Sequence, residues 1–427
     1  MNQKSCAIGV SIWLICFQSI SFGQTLIKSE KTTEQERKTR SSALPKLRTI
    51  FYTNYKPSSG GKVYVPASVT LHKVDFKYAN SSSPPFVVEQ KLFRVDEESG
   101  IHAIYPSSDF GQVIASFQHA DFSLIGMEIN DLEWISAGGT KKKRLTKDQG
   151  GYHNVVWSPD QKTIAYASRQ GVAKTIDINK YVKWAVYTQN VKTGKRTKLF
   201  EEKMASSEDA YPISPPFLRW LSPTQLLYPS SRPEGLYLLG TTGKPPIRLT
   251  KDAFDEIDLD AHFAFQEDYL AHKIQVTSLP SDPVALTKPQ TWSALKPTQT
   301  FVFPNVLPTL ILSPDRHTAA MWVSTKMDDA TSVLILLDLK TRAVRFVGTS
   351  EKAYGVQWSK DGNWLTLLTY SPTPDPQDGS YYHIVAVPVP TGEGVPFDQF
   401  DWKQNTPLKW TKLFAFSGGV VAVAWSE

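Results

Sequence analysis

The densest chemistry in this 427-residue chain lies between Asp252 and His262. Asp255, Glu256, Asp258, Asp260 and His262 crowd one short span just ahead of a β-rich segment. Carboxylates at that density, with an imidazole beside them, form a donor set for a hard divalent cation or a cationic ligand. Their spacing does not follow the twelve-residue calcium loop of an EF-hand. The competing reading is an acidic, solvated loop offset by Arg248 and Lys251, and the residue types favour it. His102 and His153 stand near the starts of two other strands. A fold that brought those strands to one axis would gather His102, His153, Asp255, Asp258, Asp260 and His262 at a channel mouth as a ligand-binding site. A divalent metal is the cofactor such a gathering would hold, and no other cofactor is expected. A lone histidine is more often a core or surface residue.

Other chemistries are poorly represented. The chain has no Gly-x-Ser-x-Gly elbow, no His-Glu-x-x-His and no glycine loop for phosphate. No catalytic residue is nominated, and the reading leans away from an enzyme. The two cysteines, Cys6 and Cys16, both lie in an apolar N-terminal stretch. Residues 1–23 read as a secretory signal: Lys4 begins it, Ala7 to Phe17 is its apolar middle, and Ser21-Phe22-Gly23 precedes the cleavage point. Without that stretch the chain would have no thiol for catalysis or metal binding. A retained anchor and a lipoprotein site at Cys16 are the weaker alternatives. Residues 24–44 are polar and read as a linker. The expected location is periplasmic or secreted, with no stable membrane insertion once the signal is removed. A net charge of +6 is too small and too scattered for nucleic acid.

The elements that must position these residues are short hairpins. Val155 to Ser168 reads Val-Val-Trp-Ser-Pro-Asp-Gln-Lys-Thr-Ile-Ala-Tyr-Ala-Ser. Proline presets the second position of a β-turn and aspartate suits the bend after it. The flanking β-branched and aromatic runs fit a buried pleated surface. The pattern returns at Phe217 to Tyr228, Leu310 to Trp322 and Val356 to Leu367. Weaker copies are expected at Ala103 to Phe117, Phe263 to Lys273 and Lys412 to Trp425. A second hairpin follows each, turning at Lys192-Thr193-Gly194, Thr242-Gly243-Lys244, Lys340-Thr341-Arg342 and Thr391-Gly392. The string Arg-Leu-Thr-Lys-Asp occurs at 144–148 and again at 248–252. Two hairpins per repeat make a four-stranded unit that cannot cover both of its apolar faces, so several must pack radially.

The expected fold is therefore all-β: a seven-bladed β-propeller over residues 45–427, with six blades as the runner-up. The last hairpin, Lys412 to Trp425, ends the chain two strands short. Thr49 to Tyr52 and Lys62 to Thr70 are its expected partners, so that both termini share one blade. Trp157, Trp220 and Trp358 fall at one position of the repeat, which predicts blade-to-blade packing rather than sugar stacking. Lys141-Lys142-Lys143-Arg144 reads as a solvated hairpin tip, or a contact for an acidic partner.

The repeat, with Trp-Ser-Pro-Asp-x-Lys-x-Ile-Ala-Tyr followed by Thr-Gly-Lys and Arg-Leu-Thr, resembles that of the TolB-like propellers. The same repeat is found in the propeller half of prolyl oligopeptidase and dipeptidyl peptidase IV relatives. The likeness runs over about residues 100–427 and is strongest at 144–168 and 333–370. It implies the fold and little about purpose. No α/β domain of the TolB type is expected before the propeller, nor a hydrolase domain after it. In architecture alone the chain also resembles the pectate-type oligogalacturonate lyases, which hold a metal through channel histidines. The expected role is a monomeric, non-catalytic scaffold with a protein partner. That partner would be met on long loops carrying Tyr211-Pro212 and Tyr381-Tyr382. A metal-dependent propeller enzyme and a carbohydrate-binding propeller are the alternatives.

Overall fold

The computed structural model describes residues 49–426 except for connecting stretches, the longest being 120–129, 171–182, 204–216 and 371–381. The expected signal and linker lie outside the described residues. The chain is an all-β propeller. Six blades are built from consecutive antiparallel strands. Blade 1 comprises Ser99–Pro106, Gln112–His119, Asn130–Ser136 and Lys142–Arg144. Blade 2 comprises Gly151–Trp157, Thr163–Gln170, Lys183–Asn190 and Arg196–Lys203. Blade 3 runs through Arg219–Ser222, Gln225–Ser231, Glu234–Gly240 and Ile247–Thr250. Blade 4 holds Glu256–Asp258, Phe263–Asp268, Lys273–Ser278 and Gln299–Val302. Blade 5 holds Leu310–Leu312, Thr318–Ser324, Ser332–Asp338 and Ala343–Ser350. Blade 6 holds Ala353–Trp358, Trp364–Tyr370, Tyr382–Pro388 and Thr411–Phe416.

A further sheet is made differently. It orders Gly419–Ser426, Thr49–Pro57, Pro66–Lys77 and Phe86–Asp96, so one C-terminal strand completes a sheet of three N-terminal strands. This corrects the expectation of seven like blades closed by two strands from each end. Lys412 to Trp425 is not a hairpin. Thr411–Phe416 is the outer strand of blade 6, paired with Tyr382–Pro388, while Gly419–Ser426 pairs with Thr49–Pro57. The physical reason is that blade 6 needs its own fourth strand. Residues 389–410, between its third and fourth strands, delay that strand until Thr411.

A second correction concerns blade 4. Phe263 to Lys273 spans its second and third strands, and its inner hairpin turns earlier, between Asp258 and Phe263. The acidic stretch is therefore the local counterpart of the Ser-Pro-Asp turn.

That turn is a closed hydrogen-bond unit in blades 2, 5 and 6. In blade 2 the Ser158 hydroxyl donates to the Asp160 carboxylate at 2.6 Å, and Thr163 N–H donates to the Ser158 oxygen at 3.1 Å. Ser313 with Asp315 and Ser359 with Asp361 repeat the pattern at 2.5 and 2.6 Å. The residue after each aspartate takes a left-handed backbone: Gln161 at φ 56, Arg316 at φ 60 and Gly362 at φ 69. Only glycine adopts that region without cost.

The Ser158 hydroxyl holds the Asp160 carboxyl below its ordinary range. Burial pushes the Asp361 carboxyl up, but hydrogen bonds from Ser359 and Asn363 outweigh it and leave the group lowered. An aspartate lowered on folding contributes stability above its unfolded pKa of about 3.9 and loses it as pH falls through the folded value. The melting temperature should therefore drop on acidification below about pH 4. Asp361→Asn, which keeps an acceptor oxygen, should flatten that acid limb. An unchanged acid limb in the variant would disprove the contribution.

Two insertions reinforce blade seams. Between the third and fourth strands of blade 4, residues 279–298 form a 3₁₀ turn, Ala285–Thr287, and a short helix, Pro289–Ala294. Leu279, Leu286 and Trp292 enter the core shared by blades 3 and 4, with Leu238, Leu249 and Ile257. In blade 6 the corresponding insertion adds Val395–Pro396 as a fifth strand on blade 5, covering an edge that would otherwise invite pairing. Phe397, Phe400 and Trp402 then pack against Phe301 and Phe303 of blade 4.

Candidate functional site

The first strands of blades 2 and 3, and those of blades 5 and 6, approach one another, as strands nearest the axis of a propeller do. The nominated acidic residues lie along the first strand of blade 4: Asp255 just before the strand Glu256–Asp258, Asp258 at its end and Asp260 in the turn that follows. Asp258 is buried, and one of its oxygens accepts Ala261 N–H at 2.7 Å. Its other oxygen takes Nη1 of Arg316 at 2.8 Å, and Nη2 of the same guanidinium lies 3.6 Å from Asp260. Arg316 belongs to the inner turn of blade 5, so this is a joint between blades. Glu256 meets Arg219 of blade 3 at 3.3 Å, and Arg219 also donates to the Ile257 carbonyl at 3.0 Å. Asp255 accepts Glu267 N–H at 2.6 Å within its own blade. His262 is exposed, with a left-handed backbone at φ 55, directly before the second strand and one position later than the left-handed Gln161 and Arg316 of blades 2 and 5.

The neutralising cations are thus Arg219 and Arg316, where the sequence reading named Arg248 and Lys251. The missed signal was positional: Arg316 follows Ser-Pro-Asp in blade 5 and faces the preceding blade. Gln161 does the same in blade 2, donating from Nε2 to the Ser108 hydroxyl of blade 1 at 2.5 Å.

His102 lies in the first strand of blade 1, at a register shift between Ile101 and Ala103. His153 lies in the first strand of blade 2, beside a shift between His153 and Val156. A third shift, between Tyr354 and Val356, falls in the first strand of blade 6. Inner-strand bulges thus recur, and bulges re-aim neighbouring side chains. Among the described residues no three His, Cys, Asp or Glu side chains gather into a metal-holding group. Tyr211, Pro212 and Tyr381 lie outside the described residues. Tyr382 begins the third strand of blade 6, its ring 5.0 Å from that of Tyr370, so the two tyrosines frame the base of the 371–381 connection.

The recurring tryptophans are joints. Trp157 Nε1–H donates to the Tyr105 carbonyl at 2.9 Å, Trp220 to Val156 at 3.3 Å and Trp358 to Ile311 at 2.9 Å. Each acceptor sits on the first strand of the preceding blade, two residues before the turn serine or its counterpart: Ser107, Ser158 and Ser313. Blade-to-blade packing was the expectation, and the indole hydrogen bond gives it direction. Lys142–Arg144, in contrast, is a strand rather than a hairpin tip, paired to Asn130–Ser136. Arg144 is bound to the buried Asp131 carboxylate.

No family model and no curated protein matches this chain. Solved structures similar to it include TolB from Acinetobacter baumannii, at 15% identity and TM-score 0.36, covering 81% of this chain and 80% of that one. A putative dipeptidyl aminopeptidase IV from Bacteroides ovatus is 14% identical at TM-score 0.40, covering 76% of this chain and 53% of that one. An acylaminoacyl peptidase from Pyrococcus horikoshii is 10% identical at TM-score 0.42, over 86% of this chain and 53% of that one. The chain thus spans about half of each peptidase. These are the propellers whose repeat the sequence resembles.

Proposed function

We propose that the protein is an exported β-propeller acting as a non-catalytic protein-interaction scaffold in the cell envelope. In this reading the sheet joining the two chain ends serves as a seventh blade. Its support is the packing of Gly419–Ser426 against Ser99–Pro106 of blade 1. One observation carries the scaffold role: the residues best suited to chemistry are taken up in joints between blades. Asp258 and Asp260 hold Arg316, Glu256 holds Arg219, and the repeated indoles bind backbone carbonyls of the preceding blade. A ring clasped in this way is a rigid platform, and rigid platforms present recognition loops. The connection based on Tyr370 and Tyr382 is one such loop, and the Tyr211-Pro212 loop is the other.

The test is affinity capture from an envelope extract with the full chain as bait, beside a chain with Tyr381 and Tyr382 changed to alanine. A partner retained by the first and lost by the second supports the reading. Repeated capture of nothing above control contradicts it.

A second reading rests on the bulged first strands. His102 and His153 stand at or beside register shifts in the first strands of blades 1 and 2, and in this reading they hold a divalent metal that acts on a carbohydrate substrate. Elemental analysis of the purified protein discriminates. Stoichiometric metal, lost from a His102→Ala/His153→Ala variant, would favour the enzyme.

A further inference from the structure

We propose that the seam between blades 1 and 2 is a docking surface for an anionic phospholipid bilayer. Lys143 reaches from the outer strand of blade 1 across the seam. Its Nζ donates to the Val191 carbonyl at 3.2 Å and to the Lys192 carbonyl at 2.8 Å on the second turn of blade 2. Val191 N–H in turn donates to the Lys162 carbonyl at 3.0 Å, and Asn190 N–H to the Lys195 carbonyl at 2.9 Å. Three segments distant in sequence are thereby locked together. Lys141, Lys142, Lys162, Lys192 and Lys195 are all exposed there, around the partly buried Lys143.

None of these six lysines takes part in an ion pair among the described residues, while nearby Arg144 and Lys198 pair with Asp131 and Glu201. Asp160 stands beside Lys162, but its carboxylate already accepts the Ser158 hydroxyl and Lys162 N–H. The patch is therefore strongly positive in a chain whose net charge is only +6. Lysines on an edge strand also blunt unwanted pairing. That accounts for Lys142 and Lys143, but not for Lys162, Lys192 and Lys195, which sit in turns.

The chemistry points to phosphate headgroups. The exposed cations are lysines, compact point charges. A carboxylate-bearing peptide is better met by the bidentate fork of arginine, and Arg144 is already engaged. The patch lies on turn tips of one face, where Thr193 and Gly194 add no apolar wedge, so the contact would be peripheral and electrostatic. Each lysine brought to an anionic surface adds about fivefold in affinity, the equivalent of about 1 kcal/mol.

The test is co-sedimentation of the full chain with phosphatidylglycerol/phosphatidylcholine vesicles and with phosphatidylcholine vesicles. The readout is the excess binding to the anionic set. The excess should fall steeply as salt is raised. It should drop about a hundredfold or more in a variant with Lys142, Lys162, Lys192 and Lys195 changed to glutamine. Lys143 is left in place because it joins the blades, and an unchanged melting temperature verifies the variant's fold. The proposal is overturned by no anionic excess, or by an excess that the variant keeps. It is also overturned if the lysines are needed only for retention on polyglutamate, which would assign the patch to an acidic polypeptide.

Discussion

Replacing Trp358 with phenylalanine should cost about 1–3 kcal/mol, and with alanine about 3–5 kcal/mol. Trp358 is 5% exposed and packs with Ile311, Leu334, Leu336 and Leu365 in the core between blades 5 and 6. Its indole supplies two separable things. Phenylalanine keeps most of the apolar bulk but leaves the Ile311 carbonyl without its 2.9 Å donor, in a core where water does not replace it. Alanine also removes the ring and leaves a cavity. Urea unfolding of both variants separates the terms. If the phenylalanine variant stays within about 0.5 kcal/mol of the parent, the indole hydrogen bond is not the joint described above. Trp157 makes the same bond but is only partly buried, so Trp157→Phe should cost less.

Deleting residues 419–427 should have the larger effect. Gly419–Ser426 is the sole C-terminal strand in its sheet, pairing from Thr49↔Ser426 to Tyr55↔Gly419. Without it Thr49–Pro57 becomes an open edge, and the contact with Ser99–Pro106 of blade 1 is lost. At about 1 kcal/mol net for each backbone hydrogen bond, the lost pairing alone amounts to several kcal/mol. Native domains are stable by only about 5–15 kcal/mol. The truncated chain should therefore accumulate as aggregate, or melt far below the parent. A synthetic peptide of residues 419–427, added during refolding, should restore part of the soluble yield. A truncated chain that melts within about 2 °C of the parent would show that the single C-terminal strand does not hold the two ends together.

These two experiments fall on opposite sides of what could be read from residues. The hairpin units were legible because their determinants are local. Ser158 and Asp160 bond over two positions and Thr163 closes the unit over five, so the same short string folds the same way in blades 2, 5 and 6. Blade 4 was misplaced by one hairpin because its turn reads Asp-Leu-Asp-Ala-His and lacks the serine. The same substitution made a turn look like a ligand cluster. The positions of the tryptophans in the repeat were visible, but their acceptors were not.

The sequence alone determined the strand-and-turn alphabet: four-stranded units with buried β-branched and aromatic faces, and the requirement that such faces pack on one another. Tertiary structure decided how the units join. Trp358 bonds Ile311 across 47 positions, Trp157 bonds Tyr105 across 52, and Arg316 holds Asp258 across 58. Tertiary structure also divided the closing sheet one strand to three, and gathered the seam lysines from one short strand and two turns. A contact closed within five residues depends on little beyond its own sequence. A contact between blades exists only after every strand has competed for an edge, and the outcome depends on the whole set of sheets at once.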